Sequence, residues 1–95
     1  MLLNVYSVHD EKSGIYDRPF VSRSDGEAMR GFMDVCADPS HPLGKHRQDY
    51  TLVCCGTFDD NTGEIFPAQV KSILAGRDVL PPDTGQPDLN PGGSE

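Results

Sequence analysis

Three observations predict an α+β fold: a small antiparallel sheet of two hairpins with one main helix, in the order ββαββ. First, one turn pattern occurs twice, as Asp10-Glu11-Lys12-Ser13-Gly14 and Asp59-Asp60-Asn61-Thr62-Gly63, each time between runs of strand-forming residues. Second, a capped stretch with helical spacing lies between the two copies. Third, the chain has 95 residues, enough for one domain.

Residues 2–9 (Leu-Leu-Asn-Val-Tyr-Ser-Val-His) are rich in β-formers and predict the first strand. In both turns the leading Asp can accept from nearby amides, and the closing Gly can take a positive φ. Residues 15–23 predict the second strand. Pro19 lacks an amide proton, which places this strand at a sheet edge or at a bulge. Ser24 and Glu27 have the spacing of a capping box, and Asp25 and Glu27 suit the positive end of a helix. Ala28, Phe32, Val35 and Cys36 then recur at helical spacing, which predicts a helix over 25–37 that ends at Asp38-Pro39. Residues 39–49 read as a polar loop. Residues 50–58 (Tyr-Thr-Leu-Val-Cys-Cys-Gly-Thr-Phe) read as the third strand and 64–68 as the fourth. Over 69–76 the spacing of Val70, Ile73 and Leu74 predicts a helical turn or two against the sheet.

The domain is expected to span 1–78. From Pro81 onward Pro, Gly, Asp, Asn and Ser dominate, so 79–95 is expected to be a disordered acidic tail that cannot bury enough to offset its ordering entropy. The chain carries 15 acidic against 8 Lys and Arg residues, a formal charge of −7. That field repels phosphate and leaves nucleic acid only a local patch to bind. Three cysteines and no secretory signal pattern point to a reducing compartment. No stretch approaches the roughly 20 apolar residues of a membrane span, so no membrane partner is expected.

The acidic second turn fails the EF-hand pattern, because Gly63 is fifth rather than sixth from Asp59 and Val70 stands where the bidentate Glu belongs. Cys36, His41, His46 and Cys54 or Cys55 include no Cys-x2–4-Cys pair. Neighbouring Cys54 and Cys55 point to opposite faces of a strand, which favours free thiols in the core over zinc. A cysteine nucleophile would need a nearby base, yet no local signature surrounds Cys36 or Cys54. A Gly-rich phosphate loop, an HExxH helix and a carboxylate pair are also missing. The chain is therefore expected to be no enzyme and to need no cofactor.

Nucleic-acid contact has its own candidates. Tyr16, Arg18 and Phe20 alternate and are expected on one face of the second strand, with Arg23 close behind. Lys45, His46 and Arg47 form a basic cluster. Aromatic residues interleaved with Arg can stack unpaired bases at about 1–3 kcal/mol each. The plainer reading, which we prefer, packs Tyr16 and Phe20 under the helix while Arg18 reaches outward.

One longer pattern runs through most of the chain. It comprises Asn4-Val5-Tyr6-Ser7-Val8-His9-Asp10 with Gly14, Tyr16, Pro19 and Phe20, then Met29-Arg30-x-Phe32-x-Asp34 and Asp38-Pro39. Lys45-His46-Arg47-Gln48-Asp49-Tyr50-Thr51-Leu52 and Gly56-Thr57-Phe58-Asp59-Asp60-Asn61-Thr62-Gly63 complete it. In order and spacing this resembles the small nonstructural protein of gokushoviruses, the Microviridae group of icosahedral single-stranded DNA bacteriophages. Arg47 and Cys54-Cys55 depart from the family's more usual residues. The resemblance implies a role similar to that of microvirus protein C, in the switch from duplex replication to single-strand synthesis and packaging. It implies the phage replication initiator or the assembling procapsid as partner, and the host cytoplasm rather than the virion as location. The family supplies no binding residues to carry over. Single-stranded DNA binding through Tyr16, Arg18, Phe20, Arg23, Lys45, His46 and Arg47 is the alternative, and an edge strand with a small core makes a homodimer reasonable.

Overall fold

A computed structural model describes residues 1–79. In chain order it contains β1 (Leu2–Asp10), β2 (Ile15–Tyr16), β3 (Phe20–Ser22), α1 (Asp25–Cys36), α2 (Pro42–Lys45), β4 (Tyr50–Asp59) and β5 (Ile65–Ala75). Two 3-10 turns, Arg47–Asp49 and Gly76–Asp78, follow α2 and β5. All strand pairs are antiparallel. The sheet order is β2-β1-β4-β5, and β3 also lies beside β1.

The two hairpins meet through β1 and β4, and α1 covers one face of the sheet. Tyr6 and Leu52 are fully buried there beside Ala28, Phe32, Cys36 and Val79. Burying an apolar side chain the size of Phe32 contributes about 1.5–3 kcal/mol. The Tyr6 hydroxyl donates to Asp25 Oδ1 at 2.5 Å and accepts from Asn4, so the only polar atom of that side chain is satisfied at the start of α1. Val79, placed in the tail by composition, is 4% exposed within this core. The remainder of the expected tail lies outside the described residues.

The helix begins where the capping residues put it. Ser24 Oγ accepts from the Glu27 amide at 3.3 Å, whereas the Glu27 carboxylate takes the Ser22 hydroxyl rather than the Ser24 amide. Both turns form with matching geometry. Gly14 and Gly63 have φ of 78° and 79°, and each amide donates to the carbonyl of the leading Asp at 2.7 Å.

The ββαββ order needs correction in three places. The second strand is split. Tyr16 pairs with His9 but Phe20 pairs with Tyr6, so one extra residue is accommodated across Asp17–Pro19. Pro19 has no donor to offer the ladder there. The polar loop over 39–49 holds α2, whose Leu43 packs on the core and whose first turn is capped by His41 Nδ1, which accepts from the Leu43 amide at 3.1 Å. The helical turns expected over 69–76 are instead the second half of β5, which pairs with β4 as far as Thr51–Ala75. Pairing satisfies the outer backbone groups of β4, which a helix there would strand. Register shifts absorb the extra residues, so Ile73 and Leu74 both reach the core despite being neighbours in a strand.

Candidate functional site

The seven residues proposed for nucleic acid do not form one surface. Tyr16 stacks on His9 with centroids 4.3 Å apart, and this pair belongs to the face of β1 opposite α1. Phe20 stacks on Tyr6 at 5.8 Å, on the α1 side. The expectation that Tyr16, Arg18 and Phe20 share a face therefore fails, because a one-residue slip reverses every side chain beyond it. Arg18 is exposed in the break and Arg23 is exposed just ahead of the Ser24 cap.

Lys45 and His46 are exposed at the end of α2, and Arg47 is half-buried. His46 shares a hollow with Lys12, Asp10, Asp49 and Tyr50, and Asp10 and Tyr50 continue to the surface beside Tyr16. Tyr16 and the basic cluster thus occupy one end of the molecule, while Phe20 and Arg23 lead away along the edge. At the shared end two carboxylates stand beside His46, and Arg77 lies 4.0 Å from Glu11. A phosphate would meet mixed charge there rather than a basic field.

A larger hollow lies elsewhere, between α1 and the interrupted edge. It is an open groove of about 460 Å³. Val8, Phe20, Ala28, Phe32, Val35 and Leu43 line it, and its charged lining residues are Asp17 and Glu27. Three local features open it. The break at Asp17–Pro19 steps the edge strand, the slip turns Phe20 inward, and Gly31 leaves the facing side of α1 bare. A Cβ placed on Gly31 meets no atom within 4 Å. Of this lining, Phe20 was legible in the sequence as a candidate contact residue, and Ala28, Phe32 and Val35 only as the apolar face of a helix. A glycine inside a helical pattern, at a cost of about 1 kcal/mol against alanine, was the available signal.

Cys36 is buried and Cys54 and Cys55 are half-buried, all three as free thiols. Burial pushes the Cys36 and Cys55 thiols up, away from the thiolate that nucleophilic or ligand chemistry uses. Among the described residues, no three His, Cys, Asp or Glu side chains are placed to hold one metal ion. No helix among them is long and apolar enough to cross a membrane.

No curated protein and no solved structure matches this chain. A family model does match, over residues 3–79, and its description is Phage ORF5 protein. The match covers the sheet, both helices and the buried Val79, so the chain belongs to the Phage ORF5 protein family, a family of bacteriophage proteins.

Proposed function

We propose that this phage protein is a noncatalytic regulator that binds a protein of the viral replication and packaging machinery in the host cytoplasm. The resemblance to the gokushovirus nonstructural protein points to the replication initiator or the assembling procapsid. The observation that carries the protein-binding reading is the contrast between two surfaces. The basic residues are dispersed and have carboxylates beside them, whereas an apolar groove stands open at the edge of the sheet. The net charge of −7 favours a basic protein surface over a phosphate backbone. The test is binding of the purified chain to purified initiator and to procapsids, by biolayer interferometry. Saturable binding to one of them is expected, and binding to neither ends this reading.

Single-stranded DNA is the second reading, favoured by the exposed Tyr16, stacked on the half-buried His9, at the same end as His46 and Lys12. Fluorescence anisotropy with labelled single-stranded DNA at about 50 and 200 mM salt separates the two. Micromolar affinity with a clear salt slope, weakened in a variant lacking Arg18 and Arg47, would replace the protein-binding reading. No binding at low salt is the expected result.

A further inference from the structure

We infer that the groove between α1 and the broken edge strand is a docking site for a peptide segment that carries an apolar anchor flanked by Lys or Arg. The inference rests on the protein-binding reading and adds the place and chemistry of the contact. The floor consists of Val8, Phe20, Phe32, Val35 and Leu43, side chains that gain by excluding water. Both charged side chains that line it are carboxylates, Asp17 and Glu27. Glu27 is held in place by the Ser22 hydroxyl at 3.2 Å. Asp34, at i+7 from Glu27, lies on the same side of α1 but does not line the groove. Arg30, three residues from Glu27, is the basic side chain nearest to that rim along the helix, and it does not line the groove. An apolar side chain entering this groove would bring its flanking residues against carboxylates, which select basic neighbours.

The free edge of β5 is the competing surface, and it is guarded. Pro67, Lys71 and two register shifts interrupt it, which are the devices that keep edge strands from pairing with other chains. The groove has no such guard. Gly31 also makes it testable without damage to the fold, because a larger side chain there has space and a better helix propensity.

The experiment titrates the 15N-labelled full chain with two synthetic ten-residue peptides. Both carry the same Leu-x-x-Phe anchor, one flanked by four lysines and the other by four glutamates. The lysine peptide is expected to shift the amides of Phe20, Gly31, Val35 and Leu43, with the glutamate peptide weaker by about tenfold or more. Gly31→Leu is expected to keep the thermal midpoint at or above that of the parent and to lose the lysine peptide by a similar factor. Equal binding of both peptides, shifts confined to other surfaces, or unchanged binding by Gly31→Leu would each overturn the proposal. So would a dimer in sedimentation velocity that Gly31→Leu dissociates, since a second copy would then be the occupant. An initiator or procapsid complex that survives in Gly31→Leu would remove the groove and leave the protein-binding reading standing. Peptide binding without any such complex would do the reverse.

Discussion

The two hairpins start from the same turn and end differently. In each, the leading Asp side chain accepts from the amide two residues on, at 3.0 Å for Asp10 and 2.9 Å for Asp59. The Ser13 and Thr62 hydroxyls both accept from the amide two residues later at 3.3 Å. Yet β2 ends after two residues, while β5 runs for 11. Each strand meets a proline early. Pro67 pairs with Gly56 directly before a register shift that β5 crosses without ending, and there the backbones come so close that a Cβ on Gly56 would lie 2.2 Å from the Phe66 carbonyl oxygen. Pro19 coincides with the one-residue slip. Turn chemistry therefore sets where a hairpin begins, and the partner strand sets how far it continues.

The most damaging test of this comparison is Gly56→Ala. A methyl group would push β4 and β5 apart, with an expected loss of about 2–3 kcal/mol in urea denaturation. An unchanged midpoint would mean that β5 does not need the close approach. Next come the turn glycines. At both positions a Cβ meets nothing within 4 Å, so alanine would suffer only the positive φ, about 1–2 kcal/mol. Gly63→Ala should show this cost in full. Gly14→Ala should show less, because the two-residue β2 can detach and relieve the strain. Equal losses would show that the first hairpin is as tightly coupled to the core as the second.

Tyr6 tests the slipped register. Burial, reinforced by the Asp25 carboxylate, pushes its phenol up from 10 to about 12. The folded protein therefore favours the neutral phenol. That contribution is complete below pH 10 and is lost as the pH rises toward 12. Tyr6→Phe should cost about 1 kcal/mol at neutral pH, where Asp25 is exposed and rehydrates. It should also flatten the stability profile over that alkaline window. The smallest effect is expected from Pro19→Val, within about 0.5 kcal/mol. Phe20 should keep its contact with Tyr6 in NMR spectra, because the stack on the buried Tyr6 ring holds the register. Movement of Phe20 to the other face would assign the slip to proline alone.

Much of the fold was legible because its signals are local. Ser24, Asp25 and Glu27 marked the start of α1, Ala28, Phe32 and Cys36 marked its buried stripe, and the two turns marked both hairpins. Residues 69–76 misled because Val70, Ile73 and Leu74 have helical spacing, and a bulged strand can reproduce that spacing. The candidate site was less legible. Phe20 was noticed as an aromatic partner of Tyr16, but its neighbours in space, Val35 and Leu43, belong to elements distant in sequence. No local pattern joins them.

By itself, the sequence determined the two turns, the capped helix, the acidic balance and the family pattern, because each depends on residues within a few positions or on a sum over the chain. Tertiary structure alone decided which face Phe20 takes, how far β5 extends and where the groove opens. Those depend on register, and register is set by hydrogen bonds and side chains from strands far apart in the chain, where one added residue reverses inside and outside.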